Sequence, residues 1–257
     1  LYALDHAVEL QDRLVARLKN RDNFAGARYE VSVAAKLLRA GFDIALEDES
    51  DKTRTHVEFT ATYKKTGKRF SVEAKQRDAS KIRINRLLHR ALAKQAEHAR
   101  MVFLDINEPD VVSDAFPPKF FLHAEDRLKA YERDPTAATL PPAYVIVTNT
   151  PWHFSLEGQG FRCATLIRGF RIPELQNGHQ FRSLVAAVDA RDAHVELHDL
   201  MRSMHQHADV PSTFDGSIPE FAFDENARRL VVGNTYSMPD ATGTMREGVL
   251  ESGTVIE

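Results

Sequence analysis

Two stretches of the chain, residues 55–63 and 69–77, alternate between apolar and polar side chains and predict a pair of β-strands. Successive side chains of a strand point to opposite faces, so each stretch has one apolar face for the core and one polar face. The apolar positions are Val57, Phe59, Ala61 and Tyr63 in the first stretch and Phe70, Val72 and Ala74 in the second. The connection 64–67 is short, polar and contains a glycine, which predicts a hairpin turn. The two stretches are therefore expected to pair as an antiparallel hairpin.

The polar face of this hairpin carries the candidate chemistry. Glu73 and Lys75 are two residues apart on one strand, and a carboxylate beside an amine is the type of pair that binds a divalent cation and stabilises charge next to it. A loop of residues 65–66 or 64–67 places Glu58 opposite Glu73, whereas a three-residue loop with a bulge at Gly67 shifts the register. Two facing carboxylates repel each other, and a bound cation would remove that penalty. The hairpin therefore predicts a metal site.

Apolar residues at helical spacing predict helices around the hairpin. Residues 1–20 and 23–39 form the first two, and Gly41 ends the second. Further helices are expected over 81–101, 124–133 and 180–207, the last broken near Asp189, and further strands over 42–46, 102–106 and 143–148. Beyond residue 215, short segments separated by glycine and proline predict a β-rich unit. This order predicts an α/β protein with a mixed sheet.

Composition narrows the class of protein. A chain of 257 residues with 43% hydrophobic content allows one large domain, or a domain with an appendage. No apolar run approaches the roughly 18 residues of a membrane span, and the start does not resemble a signal peptide, so we expect a soluble protein with no membrane partner. Cys163 is the only cysteine, which excludes an internal disulfide and a cysteine-rich zinc site and favours the cytoplasm.

A local basic run follows the hairpin, although the net charge of the chain is -3. Between residues 75 and 100 there are eight Lys or Arg against two acidic residues. Such a run is either a solvated helix face or a surface for phosphate groups. The candidates for nucleic-acid contact are Gln76, Arg77, Lys81, Arg83, Arg86 and Arg90.

A second candidate metal site lies in the late helix. His194 and His198 are spaced i, i+4, and His205 and His207 follow, so imidazoles could line one side and bind Zn²⁺ or Ni²⁺. Val195 stands where a zinc-protease motif has glutamate, so solvent-exposed histidines are the preferred interpretation.

The triplet Glu73-Ala74-Lys75 and the order of elements resemble the PD-(D/E)xK nuclease superfamily over about residues 22–150. This resemblance implies a restriction-endonuclease-like αβββαβ core with a mixed sheet. Glu58 and Glu73 would then bind Mg²⁺ or Mn²⁺, Lys75 would assist the attacking water or the transition-state charge, and Glu30 would be the helical glutamate of many members. Residue 57 is valine where the motif has proline, and residue 58 is glutamate where it has aspartate, so Asp51 in the preceding loop is a rival ligand.

The resemblance implies a metal-dependent nuclease that acts on DNA, in defence against foreign DNA such as that of viruses, or in repair. The domain organisation would be an N-terminal helix over 1–21, the nuclease-like core over 22–155, and a smaller α+β extension over 156–257 that we expect to be incomplete. The extension would choose the substrate or mediate contact with a second copy or a partner protein. Two alternatives are a non-catalytic module that binds nucleic acid or assembles with other proteins, and an interaction protein with no nucleic-acid partner.

Overall fold

The computed structural model describes residues 8–46, 57–77, 83–107, 118–150, 164–176, 178–206, 235–239, 244–251 and 254–256. The helices are α1 (Val8–Leu18), α2 (Phe24–Arg39), α3 (Ile84–Ala93), α4 (Lys119–Glu132), α5 (Leu184–Ala193) and α6 (Val195–Gln206). The strands are β1 (Phe42–Leu46), β2 (Phe59–Tyr63), β3 (Arg69–Gln76), β4 (Ala99–Asp105), β5 (Ala143–Asn149), β6 (Ala164–Phe170), β7 (Thr235–Pro239), β8 (Met245–Glu251) and β9 (Thr254–Ile256). No described helix combines the length and the apolar character needed to cross a membrane.

Within the described ranges, β1 to β6 form one mixed sheet in chain order. β1, β2 and β3 are antiparallel, β3, β4 and β5 are parallel, and β6 is antiparallel to β5. The predicted α/β class with a mixed sheet is therefore confirmed. β6 comes from the stretch that we expected to form a C-terminal extension, and it is the edge strand of this main sheet. β7, β8 and β9 form a separate antiparallel sheet.

The hairpin of β2 and β3 has the register predicted with a two- or four-residue loop. Phe59 pairs with Val72, and Thr62 pairs with Arg69. Gly67 lies in the turn with φ 73°, a backbone conformation that costs glycine little. The Glu58 amide donates to the Val72 carbonyl at 3.1 Å, so regular pairing ends at Phe59 and Glu58 lies one residue beyond the ladder.

Helices cover both faces of the sheet, and each face has its own apolar core. One core contains Phe70, Val72 and Ala74 of β3 together with residues of α2 and α6. The other joins α3 and α4 to side chains such as Val102 and Val145 on the opposite face. Burial on both faces explains why β4 and β5 are almost continuously apolar. The same burial places the polar face of β3 beneath α3, where only paired charges are stable.

Ion pairs at one end of the hairpin attach α6 to the sheet. Glu196 of α6 has 1% of its surface exposed and accepts hydrogen bonds from Lys68 and from the Tyr144 hydroxyl. Further along α6, Asp199 accepts from Lys65 at 2.7 Å and from the hydroxyl of Tyr63. These contacts fix α6 to the end of the sheet at which β3 and β5 begin.

The prediction of one long helix over 81–101 is wrong. α3 ends at Ala93, because Lys94 already has an extended backbone, with φ -64° and ψ 150°. Ala99 to Met101 instead open β4 and pair with Phe70 to Val72 of β3, where burial in the sheet outweighs local helical spacing. The break in the late helix lies at His194, not near Asp189. The sheet also includes β6, which the pattern did not predict.

Candidate active site

Three glutamates predicted as site residues lie close together: Glu73 on β3, Glu58 immediately before β2, and Glu30 on α2. Glu30 and Glu58 border a pocket of about 400 Å³, which Lys75, Gln76 and Arg77 also line. Glu73 lies immediately behind Lys75, with 1% of its surface exposed. Glu58 lies one residue beyond the ladder of β2 and β3 and shares the Lys75 ammonium group with Glu73, while α2 supplies Glu30. The pocket therefore opens onto a buried group of carboxylates.

Lys75 joins the two carboxylates of the hairpin. Its Nζ lies 2.8 Å from Glu58 Oε1 and 2.6 Å from Glu73 Oε1. Both oxygens therefore face the Lys75 ammonium group. Alternation along β3 explains the geometry, because Glu73 and Lys75 point to the same side of the sheet.

A second lysine reaches the same carboxylates from α3. Lys94 Nζ lies 2.7 Å from Glu73 Oε1 and 3.7 Å from Glu58 Oε1. Its backbone is held in place by Arg100, whose guanidinium donates to the Lys94 carbonyl at 2.5 Å and to the Ala91 carbonyl at 3.4 Å. Arg100 thus caps the end of α3 and fixes the point from which Lys94 extends.

Arg17, in the last turn of α1, contacts three further carboxylate oxygens of the cluster. Its guanidinium lies 3.1 Å from Glu30 Oε2 and donates to Glu30 Oε1 at 3.2 Å. It also reaches Glu58 Oε2 at 3.4 Å. Glu58 is therefore surrounded by cations, with the lysines on one oxygen and Arg17 on the other.

Burial and charge compete for control of the ionisation of these groups. Burial and the neighbouring Glu58 raise the pKa of Glu30 to about 7, in spite of Arg17. Burial alone would raise the pKa of Glu58 too, but Lys75, Lys94 and Arg17 together outweigh it and lower that pKa. Burial dominates at Glu73 and raises its pKa. Burial lowers the pKa of Lys75, but the two carboxylates outweigh it, so that pKa is raised and the side chain stays charged.

The donor set suits a hard divalent cation with few protein ligands. Glu73 Oε2 is buried and has no hydrogen-bond partner among the described residues, so one carboxylate oxygen is left for a ligand. Mg²⁺ commonly uses one or two carboxylates and keeps several waters, which Glu58 and Glu73 can satisfy. In the described part of the chain, no three His, Cys, Asp or Glu side chains are arranged as a ligand set. The residues therefore fit a two-carboxylate site, with Glu30 next to it.

A buried polar network continues from the pocket to the end of β4. Asp105 is fully buried and accepts from Thr148 Oγ1 and the Thr150 amide, each at 3.0 Å, and from Gln76 Nε2 at 2.9 Å. Burial raises the pKa of Asp105, although these donors oppose the shift. The Tyr29 hydroxyl joins the network through Thr148 at 2.8 Å. Asp105 thereby fixes the orientation of Gln76, which lines the pocket.

The predicted nucleic-acid contacts fall into two groups. Arg86 and Arg90 are exposed on α3, and Arg83 is exposed immediately before its first residue. Gln76 and Arg77 lie at the pocket instead, and the Arg77 guanidinium donates to the Asn107 carbonyl at 2.7 Å. Two other candidate residues, Lys81 and Asp51, lie outside the described residues.

The histidines of the late helix do not form a described metal site. His194 lies between α5 and α6 and, contrary to the prediction of an exposed side chain, is largely buried. Its Nδ1 is 2.6 Å from the Tyr144 hydroxyl, and its Nε2 is 3.1 Å from Glu174 Oε1. His205 is exposed, as expected, and His207 lies outside the described residues.

Sequence patterns missed three polar residues of this region. Arg17 had no distinguishing pattern, because its contact with Glu30 depends on how α1 packs on α2. Lys94 is one of the cations of the basic run, and the spacing predicts a helix that continues past it, so the pattern does not direct its side chain to the site. Asp105 had a usable signal: it is an acid at the carboxyl end of a buried strand, where ligands of open α/β sheets bind.

Comparison of the chain with protein-family models, curated proteins and solved structures finds no match.

Proposed function

We propose that this chain is a divalent-metal-dependent nuclease of the PD-(D/E)xK type that hydrolyses phosphodiester bonds of DNA. The observation that carries the proposal is the bridge from Lys75 to Glu58 and Glu73 at 2.8 Å and 2.6 Å, beside a pocket of about 400 Å³. Glu58 and Glu73 would hold Mg²⁺ or Mn²⁺, which when bound supplies positive charge to the phosphate and favours deprotonation of water. Cytoplasmic defence against foreign DNA, or repair, is the setting that we propose for this activity.

The chain's own groups have distinct tasks in hydrolysis. The water oxygen forms a bond to phosphorus, the bond to one sugar oxygen breaks, and that oxygen takes up a proton. In the metal-free protein Glu73 and Glu58 raise the pKa of Lys75, so its ammonium group is charged and is placed to stabilise negative charge on the phosphate. Glu30 has a pKa of about 7 and lines the pocket, which suits it to accept a proton from water near neutral pH. The exposed arginines of α3 would hold the phosphate backbone.

One observation favours a second function, that of a non-catalytic module that binds nucleic acid or assembles with other proteins. Each of the three glutamates already contacts a cation of the chain, namely Arg17, Lys75 or Lys94. A cluster of this kind is stable without a metal, so it could be kept for structure alone. The basic face of α3 would then be the functional part.

Cleavage of supercoiled and linear DNA separates the two functions. The parent protein is compared with Glu73→Gln and Lys75→Met in Mg²⁺, Mn²⁺ and EDTA, with Lys119→Met as the control because Lys119 is exposed at the start of α4. The nuclease proposal predicts metal-dependent cutting that both site variants lose by at least about 100-fold and the control retains. Salt-sensitive DNA binding without cutting in any metal would favour the non-catalytic module. All variants are first checked for a native circular dichroism spectrum.

A further inference from the structure

Two lysines share a single carboxylate oxygen in the candidate site. Lys75 Nζ and Lys94 Nζ lie 2.6 Å and 2.7 Å from Glu73 Oε1. Two like charges this close together repel each other, so the arrangement needs the surrounding carboxylates to stabilise it. One lysine would be enough to pair with Glu73, and the second therefore requires another explanation.

When Glu30 is ionised, this cluster holds equal numbers of carboxylates and cations before any metal binds. Its three carboxylates are Glu30, Glu58 and Glu73, and its three cations are Arg17, Lys75 and Lys94. A divalent cation added to this balanced cluster would leave two positive charges in excess. Such a site attracts a metal weakly unless a cation moves away or anionic substrate arrives with the metal.

Lys94 is the cation best placed to move. Lys75 lies on a central strand and makes close contacts with both carboxylates, whereas Lys94 has one close contact, to Glu73. Lys94 also follows directly from α3, whose exposed arginines would contact the phosphate backbone. Arg100 holds the Lys94 carbonyl, so the side chain can change direction on its four-carbon stem while the backbone stays fixed.

We propose that Lys94 is an exchangeable counter-ion: it neutralises Glu73 in the substrate-free protein and transfers to a phosphate oxygen of the substrate when Glu73 binds the metal. This inference rests on the proposed function and adds to it a second substrate-contacting lysine. It also makes metal binding depend on substrate, because the phosphate supplies the negative charge that releases Lys94 from Glu73. By linkage, DNA and metal then increase each other's affinity by the same factor.

The first part of the proposal is that Lys94 neutralises Glu73 in the substrate-free protein, and Mn²⁺ binding to the DNA-free protein tests it. The concentration of free Mn²⁺ is measured by electron paramagnetic resonance. The proteins are the parent, Lys94→Met, Lys94→Arg as a variant that keeps the charge, and Lys119→Met as the control. We expect Lys94→Met to bind Mn²⁺ at least about tenfold more tightly than the parent, since a competing charge within about 4 Å is removed. Lys94→Arg and the control should resemble the parent.

The second part of the proposal is that Lys94 transfers to a phosphate oxygen of the substrate. It is tested with a short phosphorothioate DNA duplex that resists cleavage, whose affinity for the protein is measured by fluorescence anisotropy with and without Mn²⁺. The parent should bind this duplex at least about tenfold more tightly with Mn²⁺, and Lys94→Met should lose most of that enhancement. Equal Mn²⁺ affinity in the parent and Lys94→Met would overturn the role of Lys94 and leave the metal site in place. If Mn²⁺ changes the affinity of neither protein for the duplex, and the parent cuts DNA in neither Mg²⁺ nor Mn²⁺, the exchange and the proposed nuclease fail together.

Discussion

Arg17 and Glu30 face each other across α1 and α2 with two contacts, 3.1 Å to Oε2 and 3.2 Å to Oε1. The guanidinium donates one hydrogen bond, to Oε1, and makes an ionic contact with Oε2, so this pair joins the two helices. It also ties the N-terminal helix to the pocket, because Glu30 lines it. The ionisation of Glu30 should therefore change the free energy of unfolding of the whole fold.

The first prediction concerns the pH dependence of stability. The pKa of Glu30 is about 7 in the folded protein against an ordinary value of 4.5, so the folded state binds this proton more tightly than the unfolded state. The contribution of Glu30 to stability is complete below about pH 4.5 and is lost as the pH rises to about 7. A shift of this size corresponds to at most roughly 3 kcal/mol.

Glu30→Gln removes this titration while keeping the shape of the side chain. Urea unfolding of the parent and the variant between pH 4.5 and 8 should show that the parent loses stability relative to the variant as the pH rises. Parallel curves for the two proteins over this interval would mean that Glu30 titrates normally in the folded state. Glu97→Gln, at an exposed position, serves as the matched control.

The second prediction concerns Arg17. We expect Arg17→Met to lower the free energy of unfolding by about 1–2 kcal/mol at pH 8, because ionised Glu30 then loses its closest cation. The cost is limited because the Arg17 side chain is about one-third exposed and solvent screens the pair. At pH 5 the cost should be smaller, since Glu30 is then protonated. A double-mutant cycle with Glu30→Gln isolates the interaction, and a coupling energy near zero at pH 8 would contradict it.

Local sequence patterns are sufficient to predict the hairpin and most of the other helices and strands. The alternation around Phe59 and Val72 and the short turn at Gly67 together define one register, because a slip by one residue would expose the apolar face. The pattern predicts α3 too long for a physical reason: the helical spacing of Ile84 and Leu88 continues in phase to Ala99, which is the first residue of β4. Whether Met101 joins a helix or a strand depends on pairing with Val72, a contact that no local pattern records.

The candidate site was predictable only where its residues lie on the hairpin. Glu58, Glu73 and Lys75 are brought together by strand alternation and register, both of which can be derived from sequence. Arg17 and Lys94 reach the same carboxylates from separate helices. Their positions depend on helix packing and on where α3 ends, and neither follows from spacing along the chain.

The third prediction concerns the attachment of α6 to the sheet. Glu196 is buried, so Lys68→Met leaves its carboxylate with the Tyr144 hydroxyl and without its cation. We expect a loss of about 2 kcal/mol in the free energy of unfolding, below the usual cost of breaking a buried pair because Lys68 is partly exposed. Faster hydrogen exchange of the amides of α6 should accompany the loss.

Lys65→Met is the matched control for Lys68→Met. Lys65 pairs with Asp199 on the same helix, but its side chain is 70% exposed, so solvent screens the pair and stability should change little. Equal destabilisation by the two variants would show that burial of Glu196 does not determine the strength of the attachment.

The fourth prediction concerns the basic face of α3 and uses the salt dependence of DNA binding. Arg86 and Arg90 are exposed on α3 and Arg83 immediately before it, and each phosphate contact contributes about 0.9 to the slope of log affinity against log salt concentration for duplex DNA. Replacing all three by glutamine should therefore weaken binding and reduce the slope by roughly 2 to 3. The control replaces the same number of exposed arginines outside α3, namely Arg39, Arg182 and Arg202, and has the same net charge. Anisotropy titrations at several salt concentrations measure both slopes. If the slope falls by the same amount in the two triple variants, the loss of DNA affinity reflects overall charge, and the arginines of α3 form an ordinary solvated helix face.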